Sequence, residues 1–204
     1  MTATRDIDPP EAVRKVIEGD GFVVGLSKGI AVDAEPRVST GSGAYIGLII
    51  VLNRILGSLG AALGIPIWLA IQVNFGATVK LHSDVDNDDE SITGVVGEYC
   101  DGEMYLEGYG YTDMHNKALG YNALIPHAVL ASSGCRVSFS AYTPGWAVRA
   151  DEGTMDALEN LGFPVEAWRN KMKGAVPHGL GCPRGLTVEE QIQWGPRHCM
   201  RHCM

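Results

Sequence analysis

From Ala44 to Ala77 the chain carries a single charged residue, Arg54. A run of that length is enough to cross a bilayer, so the fold must either bury the segment or place it in lipid. Gly64 and Pro66 divide it where a helix would stop. Asn53 and Arg54 would sit near the middle of a spanning helix, at a cost of a few kcal/mol. The segment therefore reads as a long buried helix over about residues 44–63 and a buried strand over 66–73, with no membrane partner.

The remaining bounds come from size and charge. A chain of 204 residues can bury most of its apolar surface in one core without disulfides. One globular domain over residues 1–177 and a Cys/His-rich tail over 178–204 is the expected organisation. The net charge is −8, with residues 164–204 at +3 and the rest at −11. Phosphate binding needs a Lys/Arg surface with few carboxylates, so this balance argues against a nucleic-acid partner. The first residues, MTATRDIDPPEAVRK, lack the basic start and apolar run of a signal peptide, and the expected location is the cytoplasm. There the five cysteines would stay reduced, as thiols or metal ligands.

Local patterning predicts alternating elements. A short helix over 10–18 precedes a strand, FVVGLSKGIAV, and a second strand is expected near 77–82. The strongest turn signal is Asp101-Gly102, which suits the positive backbone angles of a two-residue hairpin. It predicts a central β-hairpin over about 92–111. A helix over 112–124, a strand CRVSFSAYT, and helices at 154–161, 164–173 and 187–194 complete the reading. The fold class implied is α+β with a mixed sheet.

The Gly-rich stretch VSTGSGAYIG opens the long helix, where free backbone N–H groups and the helix dipole suit a phosphate or carboxylate. Thr40, Ser42 and Gly43 are its candidate cofactor-binding residues. The spacing is neither the dinucleotide fingerprint nor a P-loop. A capped helix start with closely packing glycines is the simpler reading.

Between Lys80 and Lys117 there are ten carboxylates and no Lys or Arg. Like charge at that density is costly unless it is solvated or holds a cation. The predicted hairpin would bring its open ends together, placing the loop of Asp86, Asp88 and Glu90 beside Asp113 and His115. Carboxylates with one imidazole suit a divalent cation such as Mg²⁺, Mn²⁺ or Ca²⁺. Asp84, Asp86 and Asp88 share the spacing of a calcium loop, but Asp89 stands at its turn glycine and Val95 at its last ligand, which excludes that motif. A solvated acidic loop is the structural alternative.

His115 and His127 are candidate general bases, and Cys135, Ser132 and Ser133 candidate nucleophiles, with Asp113, His115 and Cys135 the catalytic set. A lone Cys opening a strand is more often a small packed residue. In the tail, His178, Cys182, His198, Cys199, His202 and Cys203 form a concentration of potential ligands, with the last four at helical i, i+4 spacing. They suit a tetrahedral Zn²⁺ site, or with Met200 and Met204 a Cu(I) site. The literal repeat RHCM-RHCM also reads as a frayed or duplicated terminus.

Two functional classes follow. The first is a metal-assisted hydrolase or lyase acting on a small polar molecule, the cation polarising a carbonyl or water and His115 moving the proton. The second is a noncatalytic small-ligand or metal sensor. An oligomer is compatible with either.

Overall fold

Alternation along three long strands organises the molecule. The computed structural model describes residues 17–29, 33–174 and 192–193. In β3 (Ala70–His82), Ile71 and Val73 pack into the larger core while Gln72 and Asn74 line a cavity on the other face. In β4 (Asn87–Asp101), Ile92 joins that core and Ser91, Thr93 and Val95 face the cavity. In β9 (Ser132–Pro144), Phe139 and Ala141 are core residues while Arg136, Ser138, Ser140 and Tyr142 face inward. A two-residue period puts successive side chains on opposite faces, so these sheets have an oily outer face and a polar inner one.

The sheet curls because β3 belongs to two layers. Its first half pairs with β9, from Ala70 opposite Tyr142 to Phe75 opposite Val137, and its second half pairs with β8 (His127–Val129). Between them Gly76 has φ 57°, a left-handed conformation that glycine adopts without steric cost. One layer runs from β1 (Ile17–Lys28) through β3, β9 and β4 to β7 (Lys117–Asn122) and the short β10 (Ile192–Gln193). The other continues from β3 through β8 to β5 (Met104–Leu106) and β6 (Gly110–Thr112). The small β2 (Pro36–Val38) pairs with β1. The amide of Asp84 donates to the carbonyl of Ala123, tying the end of β3 to the end of β7. The result is a curled half-barrel with a cavity between its layers.

Helices cover the outer face of the first layer. After the five-residue α1 (Thr40–Ala44), α2 (Ile46–Leu63) buries Ile49, Leu52, Asn53, Leu56, Leu59 and Gly60, one stripe of helical spacing. Asn53 fixes it: its Oδ1 accepts from Trp68 Nε1 at 2.8 Å and its Nδ2 donates to the Leu161 carbonyl at 3.0 Å. Gly64 caps the helix with φ 73°. The chain closes with a 3₁₀ turn (Gly145–Arg149), α3 (Glu152–Asn160) and α4 (Val165–Met172). Arg169 on α4 bonds Glu152, Asp156 and Glu159 of α3, each at 2.7 Å.

The α+β expectation with a mixed sheet is corrected. Every strand pairing among the described residues is antiparallel. The helix over 46–63 is not buried but lies on the sheet, leaving Ile46, Ile50 and Val51 exposed. The central hairpin is absent as well. Asp101 and Gly102 have the positive φ the turn needs, 60° and 78°. Yet β4 pairs with β7 and β9 while β5 pairs with β6 and β8. The turn hands the chain from one layer to the other. Residues 112–124 form β6, a turn and β7 rather than a helix, because Ala118 serves the core under α2 while Leu119 and Tyr121 serve a second cluster. Of the early helix over 10–18, Ile17 and Glu18 are strand and the rest lies outside the described residues; the helix over 187–194 lies outside them except Ile192–Gln193, which are strand.

Candidate metal centre and anion pocket

The end of β3, the turn after it and β8 bring His82, Asp84 and His127 together, the one His/Cys/Asp/Glu group among the described residues placed to share a metal ion. His82 and Asp84 are two residues apart at a strand end, so both side chains leave the same side. His127 sits opposite His82 in the β3–β8 register. Its ring meets the edge of Tyr121, centroids 5.1 Å apart.

Backbone carbonyls orient both imidazoles. His82 Nδ1 lies 2.8 Å from the Lys80 carbonyl and His127 Nδ1 2.8 Å from that of Ile125. A carbonyl only accepts, so each Nδ1 carries a hydrogen, and in the neutral ring each Nε2 keeps its lone pair. Those Nε2 atoms face the two Asp84 oxygens at 3.6 Å and 3.9 Å. Burial holds the His127 pKa below its ordinary value, His82 adding to this, and together they outweigh the Ile125 carbonyl and Asp84, which favour the charged form. A neutral imidazole presenting its lone pair to a carboxylate is unfavourable until a cation stands between them. The ligand atoms of all three residues lie within 4.8 Å of one another, close enough for one ion to draw them together.

The same cavity holds a buried cation. Arg136 is 3% exposed; its Nη1 reaches Ser138 Oγ at a long 3.4 Å, and the Tyr99 side chain is its other polar neighbour. Arg136 Nε and the Tyr99 hydroxyl are both buried, and beyond the loose contact between these two side chains neither atom has a well-formed hydrogen bond among the described residues. The guanidinium lies 5.6 Å from the Tyr99 ring centroid, and no carboxylate among the described residues forms an ion pair with it. Burial lowers the Arg136 pKa, Tyr99 opposing it. Burial likewise pushes the Tyr99 phenol up to about 12, with Arg136 pulling the other way, so the hydroxyl keeps its proton at neutral pH. Buried donors without acceptors, one of them charged, are costly unless an anion completes them.

The expected acidic centre does not assemble. Asp86 is exposed in the turn, with its carbonyl accepting from Gly145 N at 2.7 Å, and Asp88 is paired with Lys171 at 3.0 Å. Glu90 stands farther along β4, opposite Asn122. Asp113 and His115 meet each other and Tyr99, not that loop. Cys135 is free and exposed: adjacent to Arg136 on a strand, it points away from the cavity. Cys100 is disulfide-bonded rather than a thiol. Ser42 Oγ accepts from Gly25 N at 2.8 Å and pairs with Ser39 Oγ at 2.9 Å, so it ties α1 to β1, while Thr40 and Gly43 are exposed. His178, Cys182, His198, Cys199, His202 and Cys203 lie outside the described residues.

His82 and Arg136 were not among the expected site residues. The His-x-Asp pair ending a strand was a readable signal, as was an arginine on the small, polar face of an alternating strand.

No family model matches the chain, and no curated protein does. Solved structures resemble it distantly. An oxidoreductase of the 2OG-Fe(II) oxygenase family from Burkholderia pseudomallei is 14% identical, with TM-score 0.45 over 67% of this chain and 72% of that one. NgTET1 in complex with 5mC DNA is 11% identical, with TM-score 0.46 over 67% and 62%. A prolyl-4-hydroxylase from Pseudomonas putida is 17% identical, with TM-score 0.32 over 61% and 72%. The hydrolase-or-lyase expectation is withdrawn, because the acidic centre on which it rested is not formed.

Proposed function

We propose that the chain is an iron(II)-dependent oxidoreductase using a small 2-oxo dicarboxylic acid, such as 2-oxoglutarate, as co-substrate. The observation that carries this reading is one cavity holding both the convergent His82, Asp84 and His127 and the unpaired Arg136. Two imidazoles and one carboxylate with further positions open are the donor set of non-haem Fe(II) oxygenases. His82 Nε2, Asp84 and His127 Nε2 would hold the metal, their Nδ1 bonds to Lys80 and Ile125 fixing each ring. Arg136 Nε and the Tyr99 hydroxyl would donate to the carboxylate at the acid's far end. Iron(II) there would supply dioxygen activation, with the 2-oxo acid leaving as the shorter acid and CO₂ while a substrate C–H becomes C–OH.

Anaerobic calorimetry and thermal unfolding test the reading. Fe(II) or Mn(II) should bind wild-type protein, and 2-oxoglutarate should raise Tm further. Asp84→Ala should abolish metal binding, whereas Arg136→Met should keep the metal and lose the response to 2-oxoglutarate. Wild-type protein that binds neither ligand overturns the reading.

A further inference from the structure

Among the described residues Arg136 has no salt bridge to hold it, so its position depends on what packs around it. Its hydrogen bond to Ser138 is long, and its other polar neighbour is the Tyr99 side chain. The Tyr99 ring lies beside the guanidinium. His115, in the turn between β6 and β7, stacks on Tyr99 with centroids 3.9 Å apart and planes 7° from parallel. The same imidazole bonds through Nε2 to the carbonyl of Tyr99. Ring and backbone of one residue are thus gripped by one neighbour.

His115 is itself locked. Asp113 Oδ1 accepts from both its backbone N–H and its Nδ1, each at 2.9 Å. Lys117 Nζ bonds the Asp113 carbonyl at 2.8 Å and its Oδ2 at 3.3 Å. Both ring nitrogens of His115 therefore face protein acceptors, and neither points to a substrate in the cavity. That arrangement does not suit a general base. It suits a clamp.

We propose that Asp113 and His115 are positioning residues that hold Tyr99, and through it Arg136, in place to receive the far carboxylate of the co-substrate. This rests on the reading of the cavity as a metal and 2-oxo acid site. The pair that looked catalytic in the sequence then acts on acid affinity and not on the metal.

The test uses full-length wild-type protein, His115→Ala, His115→Gln and Asp113→Asn, with Mn(II) and 2-oxoglutarate as calorimetric probes in the absence of oxygen. Loss of an aromatic stack and its hydrogen bond should weaken 2-oxoglutarate binding about threefold to tenfold in His115→Ala. Mn(II) affinity should stay within about twofold, because His82, Asp84 and His127 are untouched. His115→Gln, which keeps an amide donor, should recover part of the loss, and Asp113→Asn should fall between. A His115→Ala protein that binds both probes like wild type overturns the clamp while leaving the cavity's reading intact. So does one that loses both probes equally, which is the mark of general damage. Wild-type protein that binds Mn(II) without 2-oxoglutarate overturns the acid pocket and the clamp with it.

Discussion

His82 and His127 face each other across the β3–β8 pair, their ring centroids 4.3 Å apart, and each is oriented by a carbonyl two residues before it. A strand end and a short strand thus preset two tautomers before any metal arrives. The expected outcome is direct: ¹⁵N spectra of metal-free protein near neutral pH should show both residues as the Nδ1–H tautomer. Finding Nε2–H at either one would mean that its lone pair is not offered to the ion.

Arg136 places a buried charge where no carboxylate among the described residues pairs with it. Arg136→Met keeps most of the stem and removes the desolvated guanidinium, and should stabilise the metal-free protein by about 1–3 kcal/mol in urea unfolding. The same variant should not respond to 2-oxoglutarate. A drop in stability would instead show that the guanidinium holds the barrel together.

Tyr99 should titrate far above an exposed phenol, at about 12. Its proton is retained by the folded state between the unfolded value near 10 and the folded value, so stability present below pH 10 is lost as pH rises through that window. The difference in phenolate absorbance between wild type and Tyr99→Phe isolates this group, and the variant should lose stability less steeply across the same range. A Tyr99 midpoint near 10 would show that the ring is not desolvated.

Asn53 is the polar contact that seats α2. Asn53→Leu is sterically modest but leaves the Trp68 N–H and the Leu161 carbonyl without a partner, and should cost about 2–4 kcal/mol. Denaturant unfolding measures it. A cost below about 1 kcal/mol would mean that water reaches both groups.

Gly102 connects a turn to the site. With φ 78° and a Cβ position only 2.8 Å from Ser132 Cβ and 3.2 Å from Arg136 Cδ, Gly102→Ala should destabilise by about 1–3 kcal/mol. It should also weaken 2-oxoglutarate binding while sparing the metal. Unchanged acid affinity would show that Arg136 accommodates the methyl group without leaving its place.

Several elements were legible because their causes are local. Gly64 stops α2 where the sequence places the stop, and Asp101-Gly102 adopts the turn angles that dipeptide favours. Asp151 caps α3 by accepting from Thr154 N at 2.6 Å, near the expected helix start. The partner strands were not legible. Two strands flanking a tight turn ordinarily pair, but β4 continues beside β9 all the way to Asp101, opposite Ser132, while Met104 lies between Val129 and Thr112. Nothing within the turn encodes which layer each strand joins. The acidic loop misled for the same reason, since its predicted meeting with His115 depended on a pairing that does not occur.

What the sequence by itself determined is the set of faces: an α2 stripe that must be covered, strands with one oily and one polar side, and a His and an Asp leaving one strand end together. Those follow from backbone periods of 3.6 and 2, which act over a few residues. Only the tertiary structure decided that His127 stands opposite His82, that Arg136 shares their cavity, and that His115 grips Tyr99. Each of those pairs depends on which strands the sheet brings together, a pairing that no local period encodes. Burial of the outer face against α2 acts on the whole layer and not on any one of the site residues.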